Sequence, residues 1–209
     1  MGIYSPQMLN SFKDCPAKYF YRYVQNIPMP QLESSFVVGK NIHAIAAYYL
    51  KGEDISIFNL SEKEAAMWDR LKNSPYFNLK TEKVEHNISI KIDNDWIGGR
   101  LDALVKNTDD EYFILDYKTG EIPQDAKYNF QTIVYLLCCD KLLKEYKSLN
   151  FVYISVKTGE EEVIEFSPVL KTQYESTIKD TLIEMRKLSE PNPVHNKKCS
   201  NCLYSKICV

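Results

Sequence analysis

The chain has 209 residues, near the upper end of one ordinary domain and long enough to bury a core without covalent staples. Its 44% hydrophobic and 26% charged residues exclude a disordered or low-complexity chain, and no apolar run reaches the roughly 18 residues of a membrane span. The net charge of −2 excludes a general basic coat, so any nucleic-acid contact has to come from a local patch. No basic-then-apolar leader opens the chain, which sets the expectation of a cytoplasmic protein with no membrane partner.

In chain order, Ser5 and Pro6 read as the cap and first position of a helix, and Pro16 should break residues 5–25 into two short helices. IPMPQ (27–31) reads as a loop. Residues 36–51 carry Val38, Ile42, Ile45, Ala46 and Tyr49 at helical spacing. Ser61 with Glu64 forms a capping signature for a helix to about Lys72, stopped by Asn73-Ser74-Pro75. The period then changes to two. VEHNISIKI (84–92), WIGGRLDALV (96–105) and EYFILDYKT (111–119) read as three strands, separated by turn residues at 93–95 and 107–110. A long helix is predicted over 125–146. LNFVYISV and EEVIEFS read as two more strands, and residues 168–188 as an amphipathic helix with Leu170, Tyr174, Ile178, Leu182 and Met185 on one stripe. Without repeats or a dividing linker, this is a single α/β domain over 1–209, a mixed central sheet flanked by helices.

The chemistry concentrates in GGRLDALV and, fourteen residues after Asp102, in Asp116-Tyr117-Lys118. Asp102 lies in an apolar strand and Asp116 ends another. Lys118, two residues on, shares the Asp116 face. Alone, the pattern also fits strand-end carboxylates with a salt-bridging lysine. Two carboxylates on adjacent strands repel unless a cation neutralises them, and hard oxygen ligands suit Mg2+ or Mn2+. A lysine beside such an ion can orient a water and offset charge on a phosphate.

These residues resemble the PD-(D/E)XK nuclease superfamily, in particular its RecB-like branch, which includes the CRISPR-associated iron–sulfur exonucleases. The match extends in order through Ser5, Leu9, Phe12, Cys15, Pro16 and Tyr19; Gly39 and His43; Leu101-Asp102 in place of Pro-Asp; Asp-Tyr-Lys-Thr-Gly; Gln131 and Tyr135; and Cys199, Cys202 and Cys208. The resemblance implies a restriction-endonuclease-like core and a metal-dependent DNA exonuclease in CRISPR spacer acquisition or in DNA repair and recombination, with the proteins of those pathways as partners. A non-catalytic DNA-binding or adaptor subunit is the alternative. The nuclease resemblance implies that His43, Asp102, Asp116 and the Tyr117 carbonyl hold Mg2+ or Mn2+, that Lys118 positions the attacking water, and that Gln131 and Tyr135 contact DNA or that water. A glutamate near Glu85, ahead of the first strand, is a common companion. Lys13, Lys18, Arg22, Arg100 and Lys127 are the expected DNA contacts, and His86 and His195 read as structural.

Cys15 with the C-terminal trio supplies four thiolates, joining about 1–25 to 190–209. The spacing fits zinc or an iron–sulfur cluster, and the resemblance favours 4Fe-4S. Cys138 and Cys139 lie in an apolar run and read as small core hydrophobes.

Overall fold

A computed structural model of the chain describes residues 3–28 and 33–208, without the side chains of 33–37. Most of the loop expected over 27–31 therefore lies outside the described residues. A short strand opens the described chain, β1 (Ile3–Tyr4). Helix α1 (Pro6–Asp14) follows, with the Ser5 hydroxyl accepting from the Met8 N–H. Pro16 starts α2 (Pro16–Tyr19), which continues into a wider π-helical turn over Phe20–Val24. Helix α3 spans Glu33–Leu50, three residues longer at its start than the periodicity indicates. Helix α4 (Glu62–Lys72) carries the full capping box of Ser61 and Glu64.

The sheet has six strands, one more than the alternation predicts, because β1 is too short to show a period. Strand β2 is Lys80–Ile92 and β3 is Asp95–Lys106, paired antiparallel around a two-residue turn that begins with Asp93 at φ 53°. Strand β4 (Glu111–Lys118) pairs antiparallel with β3 and parallel with β5 (Ser148–Ser155); β6 (Glu161–Glu165) closes the far edge antiparallel. The parallel pair needs a crossover, supplied by helix α5. Its range is Phe130–Leu142, not the 125–146 of the sequence reading. The Asn129 side chain caps it and leaves only a 3-10 turn at Ala126–Tyr128 upstream; Leu143 is already extended. Helix α6 is Pro168–Lys187.

Alternation along the strands divides the core by sheet face. Leu101, Leu104, Ile114, Phe151 and Tyr153 face α1, α5 and α6, where the stripe Leu170, Tyr174, Ile178, Leu182, Met185 is fully used. Ala103, Val105, Leu115, Tyr117 and Val152 face Ile42, Ile45 and Ala46 of α3 and Met67, Trp68 and Leu71 of α4. A satellite cluster of Ala17, Phe20, Tyr21 and Tyr204 joins the first helices to the C-terminal tail. There Ala17 N–H donates to the Asn192 carbonyl, Tyr21 to that of Ile207, and Tyr204 to that of Ile27. No helix among the described residues is long and apolar enough to cross a membrane.

Candidate active site

The site lies where the sheet parts. One edge of β3 pairs with β1 only at Trp96 and Ile97, and with β4 only from Ala103 to Lys106. Between them, among the described residues, the backbone groups of β3 have no strand partner on that side, and buried polar groups must find other partners. Tyr135 on α5 donates its hydroxyl to the Arg100 carbonyl at 2.8 Å, and the Asp102 carboxylate accepts the Tyr117 N–H of β4 at 3.1 Å. On the other edge, the β2–β3 ladder pairs Val84 with Ala103 and His86 with Leu101, and skips Glu85 and Asp102. Glu85 holds a left-handed φ of 49°, which a residue with a Cβ adopts only under constraint. It sits inside β2, which begins at Lys80 and not at the expected Val84, so this glutamate is not ahead of the first strand.

Asp116 and Lys118 emerge from the end of β4 on one face. Lys118 Nζ lies 2.8 Å from Asp116 Oδ2 and donates to Gln131 Oε1 at 2.7 Å, while Gln131 Nε2 donates to Asp116 Oδ1 at 2.5 Å. Gln131 thus closes a three-residue ring from α5. Its own position depends on two asparagines that sequence reasoning missed. Asn129 Oδ1 accepts the Gln131 N–H at 2.9 Å, Asn10 of α1 donates to that same oxygen at 3.0 Å, and Asn10 Oδ1 accepts the Phe130 N–H at 3.2 Å.

His43 reaches the site from α3. Gly39, one turn earlier, lets the helix approach β4: a Cβ there would lie 3.2 Å from Thr119 Oγ1. His43 Nδ1 is 3.1 Å from Asp102 Oδ1. Burial lowers the imidazole's proton affinity, but the Asp102 hydrogen bond and the charges of Asp102, Asp116 and Glu85 outweigh it, and the net shift is upward. Burial raises the Asp116 carboxyl above its ordinary range; Lys118 opposes this and Asp102 adds to it. Glu85 is likewise raised by burial, against the pull of Arg100, whose Nε lies 2.8 Å from Glu85 Oε2.

The donor set fits a hard divalent cation. One ligand atom each from His43, Glu85 and Asp102 lie within 4.8 Å of one another, a span that one ion can bridge. Asp116 is not in that trio; Lys118 and Gln131 engage it instead. Carboxylates that raise one another's proton affinity are those a cation would relieve.

The four expected cysteines line one cavity of about 510 Å3. Burial raises the Cys208 thiol, and Cys15, Cys202 and Cys199 add to the rise, so all four lie close enough to interact. His195 and Lys18 line the same cavity, which puts Lys18 beside the cysteines. Arg22 stacks on Tyr23, Lys13 lies over the Phe130 ring and Lys127 over that of Tyr128. His86 is half-buried in β2 beside Glu85. Cys138 and Cys139 are buried, and burial pushes the Cys138 thiol up to about 12, as suits core hydrophobes.

Against known proteins, the family model described as the PD-(D/E)XK nuclease superfamily matches residues 3–209. An uncharacterized protein of Ureaplasma parvum serovar 3 is 28% identical, covering 78% of each chain. A crystal structure from Eubacterium rectale, described as a "Putative exonuclease", superposes with a TM-score of 0.60 at 10% identity, over 95% of this chain and 87% of that one. At that identity the likeness speaks for the fold.

Proposed function

The chain belongs to the PD-(D/E)XK nuclease superfamily, and from that premise we propose that it is a divalent-metal-dependent exonuclease acting on DNA ends or single strands. The observation that carries this reading is the ring of Asp116, Lys118 and Gln131 set beside the trio of His43, Glu85 and Asp102. His43, Glu85 and Asp102, with Asp116 and the Tyr117 carbonyl, would hold Mg2+ or Mn2+, which neutralises the carboxylates and polarises the scissile phosphate. Lys118 presents an ammonium whose place is fixed by two partners, fit to orient a water and to offset charge growing on the phosphate. Gln131 holds both Lys118 and Asp116 in register. Tyr135 fixes the β3 backbone two residues before Asp102.

A non-catalytic adaptor would not need Lys118 and Asp116 locked together, and the intact ring argues against it. The resemblance assigns such an enzyme to CRISPR spacer acquisition or to repair and recombination; gene neighbourhood separates the two. The direct test is release of nucleotides from a labelled single-stranded oligonucleotide in Mn2+. Lys118→Ala should lower the rate by at least about a hundredfold with the fold retained, since it removes a group acting at the developing charge. Equal rates in both proteins overturn the reading.

We propose further that the cysteine cavity holds a 4Fe-4S cluster. The support for this reading is that Cys15, Cys199, Cys202 and Cys208 line one cavity, together with the resemblance, which favours 4Fe-4S over zinc.

A further inference from the structure

We propose that Arg100 is a phosphate-binding residue of this site, held in place by Glu85; the inference rests on the nuclease reading and names how its substrate backbone is met. Three carboxylates, Glu85, Asp102 and Asp116, crowd the split in the sheet. A phosphodiester approaching them meets like charge, and the ammonium of Lys118 is already committed to Asp116 and Gln131. Arg100, on β3, pairs with Glu85 of the same cluster. Its side chain is 65% exposed and meets Glu85 through Nε. A guanidinium has two further NH2 groups in the same plane, and this fork matches a phosphate's two oxygens.

Three features of the chain fix where that fork stands. Its backbone carbonyl is tied to the Tyr135 hydroxyl. The preceding residue is Gly99, and a Cβ there would lie 3.0 Å from the Tyr135 ring, so α5 packs directly on the backbone leading into Arg100. Its anchor, Glu85, is turned by a left-handed backbone out of the strand ladder towards Asp102 and His43. Arg100 therefore joins the cation's ligand set to the substrate backbone: Nε holds Glu85, and the terminal nitrogens take the phosphate. The first two features also place Asp102, two residues on; the third belongs to the Arg100–Glu85 pair itself.

The test measures binding of a fluorescein-labelled single-stranded 20-mer in Mn2+ between about 50 and 200 mM salt, using the 209-residue chain carrying Asp116→Asn to suppress cleavage. Adding Arg100→Ala should weaken binding several-fold at the lowest salt. It should also reduce the slope of log affinity against log salt by about one, the signature of one lost phosphate contact. Arg100→Gln, which keeps a hydrogen-bonding side chain for Glu85, should show the same slope change and serves if the alanine variant fails to fold. In a Glu85→Gln background the loss caused by Arg100→Ala should shrink, because the anchor is already gone. An unchanged slope in the folded Arg100 variants overturns the phosphate contact, and an equal loss in both backgrounds overturns the anchoring. If the Asp116→Asn chain itself does not bind the 20-mer, the DNA reading falls and this inference with it.

Discussion

At the scale of single residues, space decides as much as charge. Gly98 lies opposite Ser89 in the β2–β3 ladder, and a Cβ there would stand 2.2 Å from the Ile88 carbonyl oxygen. The oxygen belongs to the backbone and a Cβ has no rotamer of its own, so no side-chain rotation relieves the clash. Gly98→Ala should cost about 1–3 kcal/mol, a fall in melting temperature of about 2–12 °C by thermal denaturation, through strain in the hairpin that carries Glu85 and Asp102. A melting temperature within 1 °C of the parent chain would show that the hairpin can open there.

At the scale of elements, caps do the positioning. The buried Glu64 accepts from the Ser61 hydroxyl and N–H at the start of α4 and from Asn41 of α3, so it ties the two helices that cover the His43 face. The Ser61 hydroxyl, the Asn41 amide and the Ser61 N–H hold its carboxyl below the ordinary 4.5. A depressed folded value adds stability above the unfolded value and loses it as pH falls through the folded one. Glu64→Gln should therefore be less stable than the parent chain at pH 7, with the gap closing as pH drops below about 4.5, read from urea melts at several pH values. Ser61→Ala should cost about 1 kcal/mol at pH 7, and part of that cost should also fade below about pH 4.5, because it removes the hydroxyl that chiefly holds the Glu64 carboxyl down. The cap of α5 works across a greater distance. Asn10→Ala removes an acceptor from Phe130 and a donor to Asn129, loosening the end of the helix that holds Gln131. The expected result is a roughly tenfold fall in kcat with KM little changed, since the loss is felt where Lys118 and Asp116 act; a pure KM effect would place Asn10 outside the positioning chain.

At the scale of the molecule, what was legible in sequence is what local chemistry writes. The caps at Ser5 and Ser61 and the α6 stripe occupy their expected places, because a helix start and an amphipathic face are decided within a few residues. Asp102, Asp116 and Lys118 stood out because charges in apolar strands need a reason. The end of α5 was not legible: the apolar run offers no Gly or Pro near Leu142, and Asn129 is an internal cap whose partner Asn10 is 119 residues away. The left-handed turn at Glu85 was not legible for the same kind of reason, since it accompanies a skipped rung between two strands. The cysteine cavity belongs to this scale as well. Cys202→Ala should lose the brown colour and visible absorbance expected of a 4Fe-4S protein and melt well below the parent chain, whereas Asp116→Ala should keep both and lose only hydrolysis; a colourless parent with bound zinc would favour zinc. Helix α1 connects the two sites, with Asn10 in its body and Cys15 just past its end. That arrangement has a consequence in time. Cys208 follows Cys15 by 193 positions, so at about 5–20 residues per second a ribosome needs roughly 10–40 s between them. Within that interval the sheet and α5 can assemble around Asn10, while Cys15 waits as a bare thiol for its three partners, Cys199, Cys202 and Cys208.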